Sequence, residues 1–299
     1  MLTIFSMPKP FRGHIGVIQR NAIRSWTLLS LKPQIILLGT DEGTQEIAGE
    51  LGLRHLPDVA RNERGTPLLN DLFRQAQRES RFELMCYVNA DIVLLSTFVR
   101  SVETVSREFS RFLLVSQRIN LDVPEAINLD GAWETSMKTR CRTSGAKGDH
   151  TAIDVFVFPK GMYADMPEFY LGRLWFDQWL IKAARQAGLP VIDASRVAPV
   201  IHQNHDYNHV AGGQEAIWRG KEAEHNLALY GQVEHAFTLL DSTHELIRGG
   251  RMRRVWLRRQ RFQIRQAAWD LFVRRTVNAR DTLKLRRKFW QAKSGKVSW

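Results

Sequence analysis

Apolar positions fall at two spacings along the first 200 residues, and the two alternate. Leu2–Ser6 reads as a first strand, and the prolines at 8 and 10 prevent its continuation. Ile15, Ile18, Ala22, Ile23, Trp26 and Leu29 then recur at the spacing of a helix with one buried face, which Pro33 ends. A buried strand over Gln34–Leu38, a helix from Thr44 that Gly52 terminates, and a short strand over 53–56 repeat the order. Thr66-Pro67, a hydroxyl followed by proline, marks the start of a further helix running to Arg78. Later elements are a helix near 97–108, strands over 112–116 and 153–158, a helix opening after Gly172 and ending at Gly188, and a strand over Val191–Asp193. Alternation on this scale predicts an α/β fold, one mostly parallel sheet with helices on both faces. Residues 117–150 show little periodicity, and a stretch that long inside a domain is expected to be a lid or substrate loop without regular structure.

The run 84–95 is apolar except for Asn89 and Asp91. A strand buried on both faces has no place for a carboxylate unless something compensates it, and a metal ion would. Two apart on extended backbone, the two side chains point the same way. Just past a strand's carboxyl end, they would face the crevice where open α/β sheets bind ligands. Turn or helix-capping bonds ahead of the helix at Thr97 are the alternative use for them.

Composition narrows the class without naming a chemistry. With 299 residues, 44% of them hydrophobic and 25% charged, the chain can bury a substantial core. Cys86, in the apolar run, and Cys141, in a polar segment, make neither a disulfide framework nor a CxxC pair, so a reducing cytoplasm is expected. Neither a leader with a charged start and apolar stretch nor a bilayer-spanning run of roughly 18 apolar residues is present. Charge is more informative, because 17 of the 43 Lys and Arg residues lie in 247–299 against two acidic ones, Asp270 and Asp281. The remainder holds 26 basic and 29 acidic residues. A slightly acidic domain over 1–246 and a basic helical tail over 247–299 are therefore expected. In that tail Arg251, Arg253, Arg254, Arg258, Arg259, Arg261 and Arg265 interleave with Trp256, Leu257, Phe262, Ile264, Trp269, Leu271 and Phe272. This is the composition of a helix lying in a membrane interface, which predicts peripheral attachment to an anionic leaflet; a helix packing its tryptophans on the body is the alternative. Nucleic-acid binding, suggested by a pI near 10.1, is disfavoured by the acidic body and the lack of a recognisable module.

Several residues have the chemistry of a ligand site. Asp41 follows the second strand, where a carboxylate accepts from a ribose hydroxyl or a uracil N–H, or serves a turn. Arg61 and Arg64 precede the Thr66-Pro67 helix start, whose free N–H groups and dipole favour a phosphate. Neither a P-loop nor a GxGxxG pattern occurs, which removes the best support for an ATPase or a dinucleotide oxidoreductase. His202, His205 and His209 stand within eight residues of one another, and a loop bringing one of them opposite Asp91 would complete a mixed carboxylate and imidazole metal site. A zinc site of the three histidines alone lacks any supporting HExxH or cysteine pair.

Taken together, the segments 5–11, 19–26, 65–69, 87–92, 154–159 and 201–207 resemble those of GT-A-fold nucleotide-diphospho-sugar glycosyltransferases, in particular a family-2-like bacterial group. The resemblance covers roughly 2–246. It implies a DxD-type motif holding Mn²⁺ or Mg²⁺ against the donor diphosphate, with Asp91 on the metal and Asn89 where the first aspartate usually stands. It implies His202 as a further metal ligand and Asp177, at a helix start, as catalytic base, with Asp154 the next candidate; a Gly-Gly-x-x-Glu-Asp form is absent. Asp41, Arg61, Arg64, Asn70 and Asn89 are the donor-side candidates. The implied reaction moves a sugar from a nucleotide donor to a saccharide or lipid-linked acceptor in surface polysaccharide or glycoconjugate synthesis. It passes through an oxocarbenium-like state that a cation at the phosphates and an opposed carboxylate suit. Asp177 as a helix cap is the plain alternative. Trp175 and Trp179 suit either a sugar face or the core. A sugar-phosphate nucleotidyltransferase shares the fold class, but the first loop lacks the glycine-rich, arginine-containing stretch that cradles a triphosphate.

Overall fold

The computed structural model describes residues 1–205, 220–231, 235–255 and 257–276. His209 and 277–299 of the tail lie outside them, as do Asp206, Tyr207 and Trp256. In β1 (Leu2–Ser6) the two-residue period sends Leu2 and Ile4 into one hydrophobic cluster and Phe5 into another on the opposite face. The same division holds in β2 (Gln34–Leu38) and β4 (Leu84–Val88), so both faces need helices to cover them. On the first face lie α1 (Gly13–Thr27), α2 (Thr44–Glu50) and α4 (Ser96–Glu108), which contribute Trp26, Ile47 and Phe98. On the second lie α3 (Leu69–Glu79) and α6 (Phe176–Gln186), where Phe73 stacks on Phe158 at 5.5 Å and meets Phe5 edge-on at 5.0 Å. Each such buried ring contributes about 1.5–3 kcal/mol by area alone.

The remaining strands are β3 (Arg54–Leu56), β5 (Ile92–Val93), β6 (Leu113–Leu121), β7 (Ala146–Lys147), β8 (Ile153–Pro159), β9 (Val191–Asp193), β10 (Val200–Gln203), β11 (His244–Ile247) and β12 (Arg251–Arg254). The main sheet runs β12-β11-β9-β6-β8-β4-β1-β2-β3. It is mostly parallel, with β8 antiparallel to β4 and β6 and β12 antiparallel to β11. β5, β7 and β10 form a smaller annex on the far half of β6.

Three expectations are corrected. Residues 117–150 are not structureless: they hold the far half of β6, then α5 (Trp133–Ser144), then β7, around a third cluster that includes Ile119, Leu121, Trp133, Met137 and Cys141. The run 84–95 is two strands rather than one, broken by a turn in which the Ile92 N–H bonds the Asn89 carbonyl. The helix expected from Thr66-Pro67 begins at Leu69, because the Leu68 and Leu69 N–H groups bond the carbonyls of Ala60 and Phe169 instead. Arg61 pairs across to Pro67 and Leu68 to Tyr170, so extended pairing replaces the cap.

The basic segment also begins differently from a continuous helix. β11 crosses the expected boundary after Leu246, and Arg251–Arg254 is an edge strand joined to it through Gly249 and Gly250, whose φ of 81° and 70° suit residues without a Cβ. The tail helix, Arg258–Thr276, starts with two inward arginines. Arg258 bonds buried Asp193 at 2.7 Å, and Arg259 pairs with Asp241. No described helix is long and apolar enough to cross a membrane.

Candidate active site

β1 has β2 on one side and β4 on the other, all parallel, so the order of winding reverses at β1. In open α/β sheets such a reversal leaves a crevice beyond the carboxyl ends of the strands. The chain after β1 and the chain after β4 both emerge there. Lys9, between Pro8 and Pro10, is held in place by Gln19 of α1, which accepts from the Lys9 N–H at 2.6 Å and donates to its carbonyl at 2.7 Å. The loop rests on the next one: the Phe11 N–H bonds the Glu42 carbonyl, and a Cβ on Gly43 (φ 86°) would stand 2.6 Å from that of Phe11. Burial lowers the Lys9 ammonium below its ordinary range, against the attraction of Asp91 and Asp154.

Asp91 occupies the turn after β4 and is 8% exposed. β10 pairs antiparallel with β5, putting His202 opposite Ile92 and beside Asp91. His205 Nε2 lies 3.1 Å and His202 Nε2 3.9 Å from Asp91 Oδ2. Gln203, fully buried, donates to the Asp91 carbonyl at 3.0 Å and to that of Ile18 at 2.7 Å, while accepting from Asn21 at 2.9 Å. Strand register and this amide thus fix the turn. Burial works to raise the Asp91 carboxyl, but the His205 hydrogen bond and the charges of His202 and Lys9 outweigh it, so the group stays ionised. Burial lowers His202, against the attraction of Asp91 and Asp154. Asp91 Oδ1 and His202 Nδ1 are buried without hydrogen-bond partners. The ligand atoms of Asp91, His202 and His205 lie within 4.8 Å of one another. A paired and unsatisfied donor set of this kind fits a divalent cation.

Asn89 and Asp91, separated by the turn, meet different partners. The Asn89 amide donates to Asp154 Oδ1 at 2.8 Å and accepts from the Tyr87 hydroxyl at 3.1 Å. Arg118 of β6 takes the other Asp154 oxygen at 2.9 Å. Asp154 is 7% exposed, and its charge and both its oxygens are satisfied.

Asp177 sits in the first turn of α6 behind Trp175, whose left-handed backbone (φ 87°, ψ −20°) is strained for a bulky residue. A helix N-terminus by itself favours the ionised carboxyl. Burial instead pushes the group up to about 7, assisted by the charge of Asp154 and opposed by the backbone N–H groups of Asp177 and Gln178. That value suits proton transfer near neutrality. The tryptophans divide: Trp179 packs on Phe169 and Tyr163 at 5.5 and 6.0 Å, while Trp175 packs on Tyr230 at 5.2 Å.

On the donor side, Asp41 and Arg61 meet at 3.4 Å beyond β2 and β3, and Arg61 also donates to the Gly65 carbonyl at 2.8 Å. Asn62 accepts from the N–H groups of Arg64 and Thr66, at 2.9 Å each. The Leu68 and Leu69 N–H groups, which a helix starting at Thr66-Pro67 would have offered to a phosphate, are used by the Ala60 and Phe169 carbonyls. The Asn70 side-chain oxygen is buried without a partner. Sequence reasoning passed over Lys9, Arg118 and Gln203, and it offered His205 only as one of three histidines that could face Asp91 while choosing His202 as the ligand. A lone cation between prolines after the first strand was the available sign for Lys9.

No protein-family profile matches the chain, and no curated protein matches it. Solved structures are similar at low identity. S. aureus TarS in complex with UDP-GlcNAc is 12% identical, with a TM-score of 0.46, over 70% of this chain and 60% of that one. The mannosyltransferase PcManGT from Pyrobaculum calidifontis, with GDP-Man and Mn²⁺, is 12% identical at a TM-score of 0.44, over 70% and 58%. Glucosyl-3-phosphoglycerate synthase from Mycobacterium tuberculosis, with Mg²⁺ and UDP, is 11% identical at 0.41, over 69% and 72%. The chain thus spans less than two thirds of the first two.

Proposed function

We propose that this protein is a metal-dependent glycosyltransferase moving a sugar from a nucleoside-diphosphate donor to a saccharide or lipid-linked acceptor. The observation that carries the reading is the cluster of buried Asp91 with half-buried His202 and His205 at the winding reversal, with unpartnered atoms on Asp91 and His202. Those three residues would hold the cation, which would neutralise charge on the departing diphosphate. Between Mn²⁺ and Mg²⁺, two imidazoles favour Mn²⁺. Lys9, whose ammonium is attracted by Asp91 and Asp154, supplies a positive charge for the phosphates in the same crevice. Asp41 and Arg61, beyond the neighbouring strand ends, receive the nucleoside, with Arg64 and Asn70 alongside. Asp154 acts through its bonds, holding Asn89 and Arg118 in register. Asp177 takes the proton of the acceptor hydroxyl as that oxygen attacks the anomeric carbon and the diphosphate leaves with the bonding pair.

Arg251, Arg261 and Arg265, with exposed Leu257 and Ile264, supply cations and apolar side chains for an anionic membrane surface, which suits a lipid-linked acceptor in surface glycoconjugate synthesis. The reading is tested with purified protein and a panel of UDP-, GDP- and CMP-sugars with and without Mn²⁺. Calorimetric binding of one donor class that requires the cation, with slow release of its nucleotide, is the expected result. Absence of cation-dependent binding across the panel overturns it.

A further inference from the structure

β10 offers one side chain to each of its faces. His202 lies beside Asp91, and Gln203, next along the extended strand, turns the other way to meet α1. The Gln203 amide uses one N–H on the Asp91 carbonyl at 3.0 Å and the other on the Ile18 carbonyl at 2.7 Å. Its oxygen therefore faces Asn21 of α1, which donates to it at 2.9 Å. Asn21 places its amide nitrogen also on the Glu125 carbonyl at 3.1 Å, and its oxygen accepts from the Ile127 N–H at 2.8 Å. Main-chain groups at the ends fix the direction of every bond in this chain. Carbonyls only accept and N–H groups only donate, so turning either amide over would set oxygen against oxygen at Ile18, Asp91 or Glu125. Gln203 is fully buried and Asn21 is 3% exposed, so a lost partner leaves a buried polar group unsatisfied.

The two amides join segments that are distant in sequence: α1, the turn that holds Asp91, the strand that holds His202, and the chain at 125–127 between β6 and α5. The strand ladder alone ties the first ligand to the second only loosely, through Ile201 opposite Val93 and His202 opposite Ile92. α1 adds further holds on both sides. Trp26 donates to the Ile92 carbonyl at 2.9 Å, and Ser25 accepts from the Leu94 N–H at 3.2 Å. The His14 ring is bonded to the carbonyl of Asn204, the residue before His205, at 3.1 Å. Asn21 and Gln203 are the members of this set whose side chains reach the main chain of Asp91 itself.

Building on the metal site proposed above, we infer that Asn21 and Gln203 are a positioning pair that holds the Asp91 carboxylate in place against the two imidazoles, so that cation affinity depends on both although neither is a ligand. Electron paramagnetic resonance of Mn²⁺ tests it, with the purified full chain and Mn²⁺ alone or with UDP or GDP. Gln203→Met keeps the length and removes both donors, and Asn21→Ala removes the partner that orients Gln203. Each is expected to weaken Mn²⁺ at least tenfold, the scale on which partners that orient metal ligands act. The double variant should bind about as the weaker single one does, because the two residues act through one chain of bonds. Gln203→Asn, which keeps the amide but shortens its reach, stands in should either single variant fail to fold. Asn226 of α7 (Lys221–Tyr230) supplies a matched control. Also fully buried, it donates to the carbonyls of Tyr170 and Leu174 at 3.0 Å each and accepts from the Tyr170 N–H at 2.8 Å. None of these partners lies in the turn or strands that carry the ligands, so Asn226→Ala should lower the thermal transition and leave Mn²⁺ affinity unchanged. Wild-type affinity in the folded variants, losses that add in the double variant, or an equal loss in Asn226→Ala overturns the inference and leaves the metal site standing. Failure of the wild-type chain to bind Mn²⁺ under either condition overturns the metal site, and the pair then has nothing to position.

Discussion

Asp91 and Asp154 reach the same edge of the sheet at almost equal burial, 8% and 7% exposed, and end in opposite states. Asp154 has an amide on one oxygen and a guanidinium on the other, so the fold has already used it. Asp91 has a histidine on one oxygen and nothing on the other, beside a second imidazole that also lacks a partner on Nδ1. Burying a carboxylate is costly in either case, and only at Asp154 is the compensation complete within the protein. The contrast separates a residue that holds the site together from one kept ready for a ligand.

Replacing each with alanine should therefore give different losses. Asp91→Ala is expected to abolish cation-dependent nucleotide binding with a smaller thermal loss than Asp154→Ala, since only one of its two oxygens has a partner. Asp154→Ala should cost about 3 kcal/mol because it leaves Arg118 and Asn89 without this partner. That corresponds to a drop of roughly 5–10 °C in Tm. Calorimetry and thermal scans on both variants check the pair. Equal destabilisation by the two would erase the distinction.

Asp177 sharpens the comparison from the other direction, as a carboxylate whose burial is compensated too little to keep it fully ionised. Its folded value near 7 lies above the ordinary 3.8, so the unfolded chain gives up this proton more readily. Its contribution to stability consequently falls as pH rises from about 4 to 7 and levels off above. Asp177→Asn, which keeps the size and the ability to accept backbone bonds, should raise Tm relative to wild type at pH 8 and change it little at pH 4. The same variant should lose transfer by about 10²-fold, and wild-type transfer should climb through pH 7. A variant less stable than wild type at pH 8 would mean that the residue is a cap after all.

Up to residue 116 the order of the main elements was legible in the sequence because each buried strand there is a short apolar run and each main helix has a clear apolar face, whereas β10, α7, β11 and β12 were not read from it. Residues 117–150 were not, for a physical reason. β6 carries polar Gln117, Arg118 and Asn120 where it passes the site and pairs with the annex, and α5 buries only Trp133, Met137 and Cys141 against that annex. The Thr66-Pro67 cap lost to pairing with Tyr170, about a hundred residues away and invisible to local rules. In the site, Asp91 and a histidine could be found from residue type, but the turn that diverts Asn89 to Asp154 is a tertiary product. The strand register that brings His202 beside Asp91 is another. Lys9 was missed because nothing periodic marks a loop residue.

Lys9 gives the smallest expected effect and the finest division between the two carboxylates. Its ammonium is lowered by burial yet attracted by both Asp91 and Asp154, and no hydrogen bond or ion pair fixes it among the described residues. If Lys9 serves mainly to balance Asp154, Lys9→Met should lower stability and leave nucleotide affinity alone. If it belongs with Asp91 as part of the phosphate site, the loss should fall on the ligand instead. A charge-assisted bond to a phosphate contributes about 1.5–3 kcal/mol. Part of that is returned when the buried cation is removed, and a weakening of about tenfold, or roughly 1.4 kcal/mol, is the expected result for a nucleoside diphosphate. The parent nucleoside, which has no phosphate, should bind the variant and the wild type equally. Equal weakening of nucleoside and diphosphate would place Lys9 outside the phosphate site, and a loss confined to the diphosphate would join it to Asp91.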